Sequence, residues 1–385
     1  MEFTLNEQQE MLKRTARDFF QDKLPKTLVR SLMFEDPKGY SPELWKEMAE
    51  LGWLGLMFPE EYDGIGGDFV DLIVIAEEMG RAVLPGPFIP TVVFGGIALL
   101  TAGSADQKKK FLPAIASGDM ILSFALQDAA DRFDAVGIVT EAKAEGDGFV
   151  LRGKKRFVPD AHVADYIICA ARTKTDAKPE EAITLFLVDT KSAGLSLQTR
   201  SALDGKKLCE VTLDGVKVGK DAVLGGVNTG WPVAEKALRY TVVAMCADAV
   251  GGAQMVMEMS AQYAKERTQF DTPIGAFQAI KHKCANMLID VEAARPLVYW
   301  SAWAVHEGVP EAPVAVSMAK AWCSDAYRRV AADGIQVHGG MGFTWDHDMH
   351  LYYKRAKTFE LSFGDGDYHR EIVAKDLEEK ALATV

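Results

Sequence analysis

Arg267-Thr268-Gln269-Phe270-Asp271-Thr272-Pro273-Ile274-Gly275, followed at once by Phe277-Gln278-Ala279-Ile280, is the stretch that decides how the rest of this 385-residue chain reads. It separates two long helical patterns, and a third ends in Gln336-Val337-His338-Gly339-Gly340-Met341-Gly342. An Arg at a helix end presents a planar fork of donors suited to a pyrophosphate. A Gly-Gly pair lets backbone approach a ligand where any Cβ would clash. Each feature alone has a plain explanation, a dipole-complementing Arg and a turn. Their combination, with a polar Gln336 that has no obvious packing role, points to binding.

Working outward, three zones follow. From Leu5 to about Gly118 the apolar residues Met11, Leu12, Ala16, Phe19 and Phe20, then Leu44, Met48 and Leu51, recur at helical spacing. Ser41 before Pro42 and Ser104 with Gln107 read as helix starts, and Pro85, Pro87 and Pro90 bracket a break. From Met120 to about Gly226 the runs 121–126, 149–151, 167–171, 184–188 and 211–213 are short, rich in branched and aromatic residues, and set off by turns such as Gly146-Asp147-Gly148. Short strands without intervening helices predict an antiparallel sandwich or barrel. Beyond Thr229-Gly230-Trp231-Pro232 the pattern is helical to the end, with helices expected over about 233–266, 277–306 and 312–337. The expected architecture is α+β: an N-terminal helical domain (1–119), a middle antiparallel β domain (120–226) and a C-terminal four-helix bundle (227–385).

Composition narrows the function. A net charge of -12 argues against nucleic acid, whose phosphates need a basic footprint. No run approaches the ~20 apolar residues of a membrane span, and the amino terminus has neither a basic nor an apolar leader region, so a cytoplasmic location is expected and no membrane partner. Cys169, Cys209, Cys246, Cys284 and Cys323 are far apart, as in a reducing compartment. His347-Asp348-Met349-His350 lacks a third ligand at supporting spacing, so no metal site is expected.

The motifs together resemble the acyl-CoA dehydrogenase family, from Met1 to roughly Val373. That resemblance implies FAD and removal of hydrogens from Cα and Cβ of an acyl-CoA: a carboxylate takes the α-proton and the flavin accepts the β-hydride. It assigns Arg267, Gln269, Phe270, Gln278 and the Gln336, Val337, Gly339, Gly340 segment to the distal part of an FAD held mainly by a neighbouring subunit. Electron-transfer flavoprotein is the acceptor it implies.

Three departures stand out. Phe124 to Asp134 occupies the place of a Thr-Glu-Pro and a small Gly-Ser-Asp turn, with Gln127 at the Thr and Arg132-Phe133 at the turn. Phe157-Val158-Pro159-Asp160-Ala161 stands where an aromatic-Ile-Thr-Asn-Gly motif is usual, and Pro159 has neither hydroxyl nor N–H to offer the flavin. At the two positions from which the family draws its base stand Phe363 and Thr241, which take no α-proton at neutral pH. Glu360, Asp365 and Asp248 are nearby carboxylates that read as solvated or capping residues. No catalytic residue is therefore assigned.

The segments 244–251 and 363–369 are most similar to the small, non-base-bearing subunit of pimeloyl-CoA dehydrogenase and related heteromers. The expectation is a subunit that keeps the fold and donates distal contacts to a partner carrying the Glu. Two other readings are a homotetramer with a relocated base, acting on a cyclic or dicarboxylic acyl-CoA, and a non-redox protein that binds acyl-CoA or a partner.

Overall fold

The computed structural model describes residues 4–128, 132–175 and 177–382. In chain order the helices are α1 (Glu7–Lys23), α2 (Lys26–Phe34), α3 (Pro42–Glu50), α4 (Phe69–Ala82), α5 (Gly96–Ala102) and α6 (Ala105–Ala116). Strands β1 (Leu122–Ala125), β2 (Glu141–Glu145), β3 (Gly148–Pro159), β4 (Tyr166–Arg172), β5 (Ile183–Asp189), β6 (Leu195–Ser201), β7 (Lys207–Gly219) and β8 (Val223–Leu224) follow. Then come α7 (Gly230–Glu266), the small hairpin β9 (Thr268–Gln269) and β10 (Thr272–Pro273), α8 (Gln278–Glu307), α9 (Ala312–His338), α10 (Met349–Leu361) and α11 (Gly366–Leu382). The chain folds into two compact units, one made of residues 1–29, 69–84 and 242–385, the other of 30–68 and 85–241.

In the first unit α9 is the central helix, packed by α8, α10 and α11, while α1 lies on α4. The closest approach is between α4 and α7. A Cβ at Gly80 would sit 1.8 Å from the Asp248 carbonyl oxygen, and one at Gly251 would sit 1.7 Å from that of Glu77. No side chain fits at either position, so the two backbones touch. Around this crossing run polar ties. Buried Glu77 accepts from Lys13 (3.0 Å), Arg295 (3.3 Å) and the Tyr299 hydroxyl (3.0 Å), and Glu78 takes a two-pronged Arg17. Burial works against the Glu77 charge, yet Lys13 and Arg295 hold its carboxyl below the usual range. Asp248 and Arg355 form a second buried pair, and Arg355 also donates to the Leu84 carbonyl (3.0 Å). An apolar window in α7 has mean hydropathy 1.3, long enough to cross a membrane, but 72% of it is buried inside the protein, the condition of a core helix.

The second unit carries the sheet, ordered β6-β7-β3-β2-β4-β5-β8, with β1 beside β4. Most pairings are antiparallel as expected, but β1 and β2 each pair β4 in parallel, so the sheet is mixed. Its core gathers Leu151, Val158, Ile167, Phe186, Val188, Val211 and Val216. Both anticipated helix starts are present: Ser41 accepts from the Leu44 N–H, and Ser104 with Gln107 forms a reciprocal cap. Strands β2, β6 and β8 are not among the runs expected from sequence, and for β2 the reason is plain: Glu-Ala-Lys-Ala-Glu is helix-forming by composition and its pairing with β3 makes it extended.

Removing one partner of a buried ion pair leaves the other charge uncompensated. Glu77→Ala is therefore expected to cost about 3 kcal/mol of stability, read as a lower urea midpoint. Because the folded carboxyl lies below its unfolded value, its contribution is full above the unfolded value of 4.5 and fades on acidification. Glu77→Gln should show less loss than the parent chain as pH drops below that value.

Candidate functional site

The hairpin after α7 is built by its turn. Arg267 continues the helix by one bond, its N–H to the Tyr263 carbonyl (2.8 Å), and its own carbonyl accepts from Ile274 (2.8 Å) to close the hairpin. Phe270 and Asp271 both have positive φ (53° and 59°), which gives the twist a two-residue hairpin needs. A Phe in that region is unusual, and this one is 89% exposed, with its ring set edge-on to that of Phe277 at 6.1 Å. Arg267, Gln269 and Gln278 are also exposed, and Gln269 folds back on the Thr268 carbonyl (2.8 Å). Among the described residues the Arg267 guanidinium has no protein partner.

Gln278 opens α8, whose first turn no side chain caps. Free N–H groups at a helix start favour an anion. That feature the sequence did not single out, because Phe277 at the cap position reads as an apolar anchor.

At the end of α9, Gln336 is exposed while Val337 is buried, so Val337 offers only its backbone. Gly339 ends the helix at φ 59°, ψ -140°, a conformation open to glycine alone. At Gly340 an added Cβ would meet nothing within 4 Å, so no packing contact demands glycine there. Two contacts bring these segments to one end of the unit: the Tyr263 ring stacks on His338 at 4.4 Å, and Lys283 of α8 pairs with Asp333 of α9. His338 donates from Nδ1 to the Gly334 carbonyl (2.8 Å), and burial lowers its affinity for a second proton. His347 lies 4.6 Å from His338 and accepts the Met349 N–H, whereas His350 faces Trp345 at 4.7 Å; the two histidines have different neighbours.

This end joins an unpaired guanidinium, an uncapped helix start, exposed amides and an open glycine backbone. The set fits a diphosphate flanked by polar groups.

In the sheet unit, Phe124 is buried against Phe94 (4.1 Å) and the Gln127 carbonyl accepts from the Arg156 N–H (2.8 Å). Ala129 to Asp131 lie outside the described residues; beyond them Arg132 pairs with Asp134, which in turn caps the short turn 135–137. Sequence reading overlooked Asp128 and Lys155. Both are buried, their ion pair spans 2.7 Å, and Asp128 also accepts from the Val139 and Thr140 N–H groups (2.6 Å each). Phe157 sits in a β-bulge between Lys155 and Val158 with φ 53°, which turns its ring outward. Pro159 receives the Ser123 hydroxyl on its carbonyl.

Thr241 is fully buried and its hydroxyl donates to the Ala237 carbonyl one turn back (2.9 Å). Phe363 is half-buried at φ 56°, and its carbonyl faces His369 Nε2 (3.0 Å). The three nearby carboxylates all have structural duties. Asp248 is paired with Arg355, Glu360 with Arg328 (3.1 Å) and Lys357 (2.5 Å), and Asp365 caps α11 through the Tyr368 N–H (2.9 Å).

Known proteins resemble the chain along nearly its whole length. Models of the N-terminal, middle and C-terminal domains of acyl-CoA dehydrogenase match residues 6–119, 123–216 and 228–378. The chain is 33% identical to a 3-(aryl)acrylate reductase of Clostridium sporogenes, over 96% of this chain and 98% of that one. It is 30% identical to the caffeyl-CoA reductase-Etf complex subunit CarC of Acetobacterium woodii, over 97% and 99%. Its structure superposes on a chain of the ChsE4-ChsE5 complex from Mycobacterium tuberculosis with TM-score 0.89 and 27% identity, over 98% and 99%.

Arg267→Ala removes the guanidinium of the site. A charge-assisted contact contributes about 1.5–3 kcal/mol when desolvated, so FAD retention by the assembled protein should weaken roughly ten- to hundred-fold. Flavin absorbance per protein after gel filtration measures this, and unchanged occupancy would make Arg267 a solvated surface residue.

Proposed function

The chain belongs to the acyl-CoA dehydrogenase family, FAD-dependent oxidoreductases that act on acyl-CoA thioesters, and within that family we propose that it is the subunit without the base in a heteromeric enzyme. It would supply the distal FAD contacts, Arg267, Gln269, Phe270, Gln278, Gln336 and the Val337, Gly339, Gly340 backbone, to a partner that carries the catalytic Glu. The observation that carries this reading is the commitment of the three carboxylates singled out from sequence: Asp248, Glu360 and Asp365 are each held by a cation or a helix cap.

FAD, when bound, supplies the acceptor for the hydride that leaves Cβ. The chain's own residues have a different task. Arg267 and the uncapped start of α8 balance the charge of the diphosphate, Gly340 leaves backbone room for it, and exposed Gln336 and Gln278 offer amides to the polar groups around it. Phe363 and Thr241 can move no proton, so abstraction from Cα falls to the partner. The ChsE4-ChsE5 complex, an assembly that includes a chain close to this one in fold, supports a heteromer. The Etf complex of the CarC relative supports electron-transfer flavoprotein as acceptor. A small subunit of the pimeloyl-CoA dehydrogenase kind, in the cytoplasm, is the specific form we favour.

Purification of the chain from its native source should bring down a second acyl-CoA dehydrogenase chain with a Glu at one of the two base positions, in a dimer of dimers by light scattering. A monomer, or a homotetramer that holds a full complement of flavin, contradicts the proposal. Phe363→Glu and Thr241→Glu, made singly in the chain alone, are each expected to leave flavin reduction by acyl-CoA at background. Restored reduction in either would show that the ring and acyl seats are intact in this subunit.

A further inference from the structure

The turn after β3 brings a thiol and an imidazole together in a place the proposed function does not use. Cys209 lies in β7, paired with Val158 of β3, and its Sγ is 4.0 Å from His162 Nδ1. The other ring nitrogen, Nε2, lies 3.0 Å from the Lys38 carbonyl and can only donate to it. The ring proton is therefore on Nε2, and Nδ1 keeps its lone pair. Burial holds the imidazole below its ordinary value and the thiol above its own, so both are uncharged at neutral pH. Cys209 is buried and His162 half-buried.

The separation is long for a hydrogen bond and suits two ligands of one ion. With bonds of about 2 Å, ligands on opposite sides of an ion stand about 4 Å apart, whereas tetrahedral neighbours stand about 3.5 Å apart. Among the described residues no cluster of three or more Cys, His, Asp or Glu could hold a metal, and the sulfur also meets the Thr199 hydroxyl at 3.6 Å. Zinc prefers four ligands and is disfavoured with two. Thiolate with imidazole suits Cu(I). Charge selects the same ion. The Lys207 ammonium adds to the effect of burial on the imidazole, and is itself turned to the Met33 carbonyl (3.0 Å). A monovalent ion that replaces the thiol proton leaves the buried pair neutral, whereas a divalent one would set an uncompensated charge beside that lysine.

We propose that Cys209 Sγ and His162 Nδ1 hold one Cu(I) ion between them in linear two-fold coordination. On binding, the S–H bond breaks and its proton goes to solvent, while one S–Cu and one N–Cu bond form with no change of oxidation state. The Lys38 carbonyl has the outer role usual for a ligating histidine, fixing its tautomer and the plane of its ring. Occupied, the site joins β7, the turn after β3 and, through the ring, the loop between α2 and α3 that carries Lys38. The two ligands lie 47 positions apart, so no motif marks them in the chain. The site belongs to the sheet unit and stands whether or not the flavin reading does.

Anaerobic titration of the full chain against Cu(I) held by the chelator bathocuproine disulfonate measures the site. The parent should withdraw one equivalent of copper and Cys209→Ser none. His162→Gln should bind roughly ten-fold more weakly or worse, as loss of a ligand demands at least the cost of losing its outer partner. Cys284→Ser, which removes the half-buried thiol of α8, should behave as the parent. X-ray absorption of the copper-loaded parent needs no variant and should show one sulfur and one nitrogen with no third ligand. No copper withdrawn by the parent, an equivalent retained by Cys209→Ser, or a coordination shell of sulfur alone or of three ligands would each overturn the site.

Discussion

The helical unit depends on one contact that tolerates no side chain, the crossing of α4 over α7 at Gly80 and Gly251. Backbone touching backbone fixes the axis of α7, and everything beyond Gly251 inherits that direction. Arg267 and its hairpin lie about four and a half turns further on, at 3.6 residues per turn, so the line set at the glycines decides where the guanidinium emerges. The ion pairs of Glu77, Glu78 and Asp248 surround the crossing and are satisfied in place, as buried charges must be. Gly334 on α9 continues the theme, since a Cβ there would meet Val256 at 2.5 Å.

That arrangement also ties the acids of this region into the fold. Carboxylates in the α7, α10 and α11 region do exist, but they are spent on holding helices: Asp248 on Arg355, Glu360 on Arg328 and Lys357, Asp365 on the first turn of α11. Buried Lys320 completes the set by donating to the Phe359 (3.0 Å) and Gly364 (2.9 Å) carbonyls, which ties the end of α10 to the turn that carries Phe363. The turn is thus built and held although its side chain is an aromatic ring.

Much of this was legible in the sequence. The three long C-terminal helices begin and end within about three residues of their expected limits, because their apolar periods are long and their ends are marked by Gly230, Gly308 and Gly339. The break between helices at Arg267–Gly275 was visible from its Pro and Gly, but not the β9–β10 hairpin within it. What was hidden depends on distant partners. Glu141–Glu145 is a strand only through β3, Asp128 finds Lys155 across 27 positions, and the commitment of Asp248 to Arg355 spans more than a hundred. Gly340 could be flagged as a candidate, but only the structure shows that a Cβ added there would meet nothing within 4 Å.

The proposed division of labour between two subunits is most directly tested by anaerobic titration with saturated acyl-CoAs, straight-chain, cyclic and dicarboxylic, followed by flavin absorbance. The chain purified alone and supplied with FAD should show no bleaching, and the complex with its Glu-bearing partner should bleach with at least one of them. Rapid bleaching by the chain alone would reveal a base within this subunit and contradict the account.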